Sequence, residues 1–111
     1  MDTTSPKSSF LEPWEPVLDE WKEQIQGELK KEMQKMHVLY GFEAEPIGKR
    51  IDCDDTLFKI KKEEKEALAV VHLTWSGKPD QFPSYPSTEI YDSWEEFEKK
   101  DMIPTHEDYI S

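Results

Sequence analysis

The segment Ala67–Trp75, ALAVVHLTW, constrains the fold most, because it is a nearly unbroken apolar run in a very polar chain. In an extended strand, successive side chains point to opposite faces. One face would carry Ala69, Val71, Leu73 and Trp75, and the other would carry Leu68, Val70, His72 and Thr74. Since both faces are largely apolar, the segment predicts a central strand of a sheet.

A helical pattern precedes this strand in the chain. Apolar residues recur there at three- and four-residue steps: Leu18, Trp21, Ile25, Leu29, Met33 or Met36, and Tyr40. This spacing predicts one amphipathic helix over residues 16–39, ended by Gly41. Its apolar stripe is interpreted as core and not as a surface for a partner.

Shorter patterns predict the remaining elements. Ile47, Ile51 and Cys53 alternate with polar residues, as in a half-buried strand, and Phe58 with Ile60 indicates a second one. The connector Lys61–Glu66 lacks glycine, which favours a longer hairpin loop over a tight turn. After a proline-rich loop over residues 76–87, Ser87–Tyr91 predicts a possible fourth, edge strand. Ser93 and Glu96 have the spacing of a helix capping box.

Together these patterns predict an α+β fold. A long N-terminal helix and a C-terminal helix, ended by Pro104, would pack on one face of a three- to four-stranded antiparallel meander sheet. Residues 1–10 are expected to be a flexible N-terminus, and residues 11–111 a single α+β domain.

Charge and composition restrict the function classes. The formal net charge is −11, which argues against a nucleic-acid binder and against anionic membrane surfaces. It is compatible with a basic protein partner, or simply with solubility. Cys53 is the single cysteine, so no disulfide forms within the chain. With no apolar leader and no apolar run long enough to span a bilayer, a cytoplasmic protein is expected.

Four residues are the candidate binding residues: His72, Trp75, Phe82 and Tyr85. His72 is a possible general base or hydrogen-bonding group, with a structural role at the sheet surface as the alternative. Trp75, Phe82 and Tyr85 lie among prolines, and rigid aromatic residues of this kind anchor protein interfaces. The alternative is that these rings cover one end of the core. His72 and Trp75 would lie on opposite faces of their strand and so would not form one site.

Metal and cofactor chemistry are not expected. The run Asp52–Asp55, DCDD, lacks the pattern of a calcium loop. Cys53, His37, His72 and His106 lack the spacings of a zinc site. Acidic neighbours should raise the pKa of Cys53, so a buried small hydrophobic residue is expected at this position.

The C-terminal half also carries a resemblance. Asp54–Phe58, Val71–Gly77 and Tyr85–Thr88 resemble segments of a group of small uncharacterised bacterial proteins, which implies a bacterial cytosolic origin but no residue roles. By size and charge alone, the chain is also similar to immunity proteins of bacterial toxin systems.

Three function classes therefore stay open. The favoured one is a non-enzymatic protein-binding module, such as an immunity- or antitoxin-like inhibitor of a basic partner protein. The alternatives are a small, hydrolase-like enzyme that uses His72 and an accessory or structural domain.

Overall fold

A five-stranded antiparallel sheet forms the centre of the protein, of which a computed structural model describes residues 10–82 and 84–111. The strands are β1 (Trp14–Pro16), β2 (Glu43–Arg50), β3 (Asp55–Lys62), β4 (Lys65–His72) and β5 (Thr88–Tyr91). Their spatial order follows the chain, β1-β2-β3-β4-β5. β4, the strand with two apolar faces, therefore lies between two neighbours as its sequence predicts.

The predicted sheet of three to four strands was wrong. The additional strand, β1, lies directly before the predicted helix and includes its first residue, Pro16. Trp14 pairs with Arg50, and Pro16 with Gly48. Proline is tolerated on an edge strand, because one side of that strand has no neighbouring strand and its N–H groups need no partner there. The connection between β3 and β4 was also mispredicted, since Lys62 pairs with Lys65 in a tight hairpin in which Glu63 takes a positive φ of 59°.

The predicted helix over residues 16–39 was also wrong. The observed helix α1 spans Asp19–Glu32, and Met33 already has an extended backbone. Within the following turns, the imidazole Nδ1 of His37 accepts the backbone N–H of Leu39 at 3.0 Å. Such a local bond to the backbone competes with helix formation. The apolar spacing in the sequence continues through Met36 and Tyr40, beyond the end of α1. Both of these side chains are exposed.

The helices pack on opposite faces of the sheet, not on one face as predicted. α1 covers a cluster that includes Ile25, Leu29, Phe58, Val71 and Leu73. The C-terminal helical segments cover a second cluster that includes Trp14, Leu57, Val70, Trp94 and Phe97. The physical reason is the two-sided apolar pattern of the inner strands, because each face must be removed from water.

The C-terminal helical region consists of α2 (Trp94–Phe97), a π-helical turn (Glu98–Met102) and α3 (Ile103–Ile110), which follow one another directly. The predicted cap is present, since the Ser93 hydroxyl accepts the Glu96 N–H at 3.2 Å. The predicted stop at Pro104 was wrong. Pro104 is the second residue of α3 and follows directly on the π-helical turn, so the helical path continues through it.

The predicted flexible N-terminus falls mainly on residues 1–9, which lie outside the described residues. Phe10, its last residue, packs edge-on against Trp94 with ring centroids 5.3 Å apart. Among the helices that the structure describes, none combines the length and apolar character needed to cross a membrane.

Candidate functional site

A groove of about 670 Å³ lies where the start of α1, β1 and the loop after β4 meet. We call it the aromatic groove; it is lined by Glu15, Pro16, Leu18, Trp21, Gln24, Ile25, Lys49 and Trp75. Three of its large apolar side chains are strongly exposed: Leu18 at 58%, Trp21 at 49% and Trp75 at 43%. Clustered exposed apolar surface in a polar protein is typical of an interaction site.

The helical wall of the groove is the first half of the predicted apolar stripe of α1. Ile25 and Leu29 are buried in the core, as expected for this stripe. Leu18 and Trp21, which lie at the beginning of the same stripe, remain exposed. The assignment of the whole stripe to the core was therefore wrong at its first positions.

Trp75, on the other wall, lies beyond the end of β4 in a backbone conformation that is unusual for a large side chain. Its φ is +58°, in the left-handed region. Gly77, two residues later, also has a positive φ of 72°. We call residues Thr74–Gly77 the Trp75 turn. For a tryptophan, this backbone conformation costs about 1–2 kcal/mol. Other contacts must therefore hold the residue there.

Those contacts come from two carboxylates of α1, Glu28 and Glu32. The Glu32 carboxylate accepts the backbone N–H of Thr74 at 2.9 Å and that of Trp75 at 2.8 Å. Glu28 Oε2 accepts the N–H of Gly77 at 2.9 Å. The two glutamates, here called the carboxylate pair, thus bind most of the amides of the Trp75 turn.

The carboxylate pair is buried, with Glu32 only 2% exposed. Burial, together with the hydrogen bond from the neighbouring Glu28, raises the pKa of Glu32. The pKa of Glu28 is lowered by its hydrogen bond with Glu32 and by the N–H of Gly77. As pH rises, Glu28 therefore ionises before Glu32.

Phe82 and Tyr85 lie on the loop between β4 and β5. Both rings are exposed and meet edge to face at a centroid distance of 6.0 Å. The loop is held to the segment after α1, because the Gln34 amide donates to the Asp80 carbonyl and His37 Nε2 donates to the Pro86 carbonyl at 2.9 Å. Pro83, which comes between them in the sequence, lies outside the described residues.

His72 occupies a different surface. By the alternation of β4 it shares the face of Leu68 and Val70, which pack against the C-terminal helical region. Its Nδ1 lies 2.7 Å from Asp55 Oδ1, and Asp55 is in turn 3.7 Å from the Arg50 guanidinium. The imidazole is exposed and lines neither this groove nor the polar cavity of about 700 Å³ beside α1 and β2.

The structure therefore separates the four predicted residues. Trp75 lies in the aromatic groove, Phe82 and Tyr85 contact each other on a loop, and His72 lies on the other face of the sheet. Sequence reasoning missed Trp21 as an exposed residue and did not single out Glu28 or Glu32. A usable signal was present, since Glu28 and Glu32 each follow a buried stripe residue, Ile25 and Leu29, by three positions.

Metal ligation finds no support in the part of the chain that is described, where no group of three or more His, Cys, Asp or Glu side chains could hold an ion. Cys53 is exposed, so its expected burial as a small hydrophobic residue was wrong. Partial burial of the thiol and the nearby Asp55 carboxylate raise its pKa, which makes it a weak nucleophile.

Comparisons with protein-family models, with curated proteins and with solved structures found no match.

Proposed function

We propose that this protein is a non-enzymatic binding module that holds an apolar side chain of a basic partner protein in the aromatic groove. The observation that carries the proposal is the pairing of two half-exposed tryptophans, Trp21 and Trp75, across one cavity. Tryptophan is among the residues most enriched in interface hot spots, because one ring removes a large apolar area from water.

Charge around the groove favours a basic partner. On the first turns of α1, Asp19, Glu20 and Glu23 are exposed, and the side chain of Asp19 is 97% exposed. Lys49, a cation of the groove wall, lies 3.6 Å from Glu15, which compensates its charge. With a net charge of −11, the protein would attract a cationic surface over a distance and accelerate its association.

We further propose that binding inhibits this partner, in the manner of an immunity or antitoxin protein. The support is the combination of small size, high acidic charge and an exposed apolar anchor site. An acidic inhibitor covers the basic surface by which a partner approaches its own anionic substrate.

The experiment is affinity capture from the native cell with the immobilised protein, followed by purification of each captured protein. We expect a basic partner whose dissociation constant rises steeply between about 0.05 M and about 0.5 M salt, because surface charges become screened. Trp75→Ala and Trp21→Ala should each weaken binding by about tenfold or more. Inhibition is tested by adding the protein to the purified partner in an assay of that partner's own activity.

A matched control is Tyr109→Ala, which removes an exposed aromatic ring of α3, far from the groove residues. This variant should bind like the wild type. A partner that is neutral, insensitive to salt, or equally weakened by all three substitutions would contradict the proposal.

A second candidate function, a hydrolase-like enzyme, has one favourable observation. The 2.7 Å contact between His72 and Asp55 would orient the imidazole and leave Nε2 free as a general base. The test is His72→Gln, with Trp75→Ala as the comparison variant. Loss of a hydrolytic activity only in His72→Gln would favour the enzyme, and loss of partner binding only in Trp75→Ala would favour the binding module.

A further inference from the structure

The contacts between the carboxylate pair and the Trp75 turn are unusual in kind. Turns after a strand generally satisfy their amides with water or with neighbouring backbone groups. Here three amides of one turn, those of Thr74, Trp75 and Gly77, donate to two side chains of a distant helix at 2.8–2.9 Å. Hydrogen bonds to carboxylates are about twice as strong as those between neutral groups.

The arrangement is unfavourable for each element taken separately. Glu32 is the last residue of α1, where the partial negative charge of the helix end opposes a carboxylate. Trp75 has a positive φ, which a large side chain adopts only when its surroundings hold it there. Costs of this kind collect at functional sites, and here they coincide with one wall of the aromatic groove.

We infer that Glu28 and Glu32 are positioning residues for the aromatic groove, because they hold the turn that places the Trp75 ring in its wall. The inference rests on the proposed function, since it names what organises the same site. It adds a means of regulation, because the groove then depends on the charge state of two residues that do not contact the partner.

The charged group that acts on the carboxylate pair from α1 itself is Lys31. The Trp75 turn donates hydrogen bonds to the carboxylate pair from its three amides and from the Thr74 hydroxyl. With one shared proton, the pair still offers unprotonated oxygens to these amides. Ionisation of Glu32 adds a second buried negative charge beside Glu28, and the two carboxylates then repel each other.

The direction of the pH response follows from the two pKa shifts. Because burial raises the pKa of Glu32, its contribution is complete below the ordinary pKa of glutamate and is lost as pH rises through the raised value. Because Glu28 has a lowered pKa, its contribution is present above the ordinary value and is lost as pH falls through the lowered one. The groove is therefore best formed between these two limits.

The test uses the full chain labelled with 5-fluorotryptophan and fluorine NMR, with the Trp75 resonance assigned from Trp75→Phe. Glu32→Gln imitates the protonated acid, because its amide donates to Glu28 and its carbonyl accepts from the turn. Glu32→Ala removes these bonds. The binding probe is a short acetylated and amidated peptide of alternating lysine and leucine residues.

We expect the wild-type Trp75 resonance to move with pH and that of Glu32→Gln to stay constant. Glu32→Ala should shift this resonance and weaken peptide binding by about tenfold, whereas Glu32→Gln should bind like the wild type. A folded Glu32→Ala variant with an unchanged Trp75 resonance would overturn the inference. If Glu32→Ala does not fold, identical pH profiles of the wild type and Glu32→Gln overturn it instead.

The two proposals fail separately in this experiment. If the Trp75 resonance responds as expected but the wild type does not bind the peptide, the positioning role stands and the basic-partner function is contradicted. If the peptide binds and Trp75→Ala weakens it, but the resonance ignores both pH and the substitutions, the function stands and the positioning role is wrong.

Discussion

The carboxylate of Glu32 accepts the backbone N–H of Trp75 at 2.8 Å and so joins the last turn of α1 to the loop after β4. The two residues lie on different elements, and neither predicts the other from local sequence. Through this bond, a buried carboxylate determines where an exposed aromatic ring is placed. The relationship connects the core of the protein to its candidate interaction surface.

Burial, and not residue type, should determine the effect of tryptophan substitutions on stability. Trp14 is 1% exposed and donates from Nε1 to Asp101 at 3.1 Å, so Trp14→Ala should lower the free energy of unfolding by about 3–5 kcal/mol. Trp21→Ala, at a half-exposed position, should cost about 1 kcal/mol or less. Urea denaturation measures both. Equal losses would contradict the assignment of Trp21 to a surface groove.

His37 should be a structural residue. It is buried, accepts the Leu39 N–H at Nδ1, and donates from Nε2 to the Pro86 carbonyl. His37→Phe leaves the Leu39 N–H without its acceptor, whereas the Pro86 carbonyl keeps its bond from the Thr88 hydroxyl at 2.9 Å. The variant should destabilise the protein by about 1–3 kcal/mol, the cost of one orphaned buried polar group. His106→Phe, which affects only an exposed contact to the Glu12 carbonyl, is the control and should cost less. Thermal unfolding of the two variants measures this difference in stability, and equal losses would contradict a structural role for His37.

Asp101 should make stability depend on pH. It lies in the π-helical turn and accepts hydrogen bonds from Trp14 and Thr105, and burial raises its pKa. A raised folded-state pKa gives a contribution that is complete below the ordinary value of about 3.9 and is lost as pH rises through the raised one. Asp101→Asn lacks this loss, so its stability relative to the wild type should increase with pH over that interval.

The measurement for Asp101 is urea denaturation of both proteins at several pH values on either side of the ordinary aspartate pKa. A stability difference that does not change with pH is incompatible with this prediction.

Tyr91 should make stability depend on pH in the alkaline range, because burial and the nearby Asp101 carboxylate raise its pKa to about 12. Stability should fall as pH rises from the ordinary tyrosine value of about 10 toward 12, and Tyr91→Phe should not show this fall.

Two glycines should respond oppositely to alanine. A methyl group at Gly48 would lie 2.7 Å from the Phe10 ring, so Gly48→Ala must displace that ring from its contact with Trp94 and should cost about 1–3 kcal/mol. A methyl group at Gly27, within α1, would have no neighbour within 4 Å. Gly27→Ala should therefore stabilise the protein by about 0.5–1 kcal/mol, by helix propensity. The same sign for both changes in chemical denaturation would refute this packing.

Local sequence was sufficient where a pattern refers only to neighbouring residues. The alternation of Leu68–Leu73 indicated an inner strand with two apolar faces, and the spacing of Ser93 and Glu96 indicated a helix cap. These features depend on backbone geometry alone, in which side-chain direction follows the local period. The same alternation does not reach Trp75, which follows the end of β4 in a left-handed conformation, so the turn and not the strand period sets the direction of this ring.

Only the tertiary structure decided the length of α1, the fifth strand, the placement of the helices on both faces, and the aromatic groove. Periodicity tells which side chains share a face, but it does not tell which element covers that face. Leu18 and Trp21 had the same spacing as Ile25 and Leu29, yet only the latter two are covered by the sheet. The bonds of Glu28 and Glu32 to the Trp75 turn join distant parts of the chain, and such contacts exist only once the fold has brought both parts together.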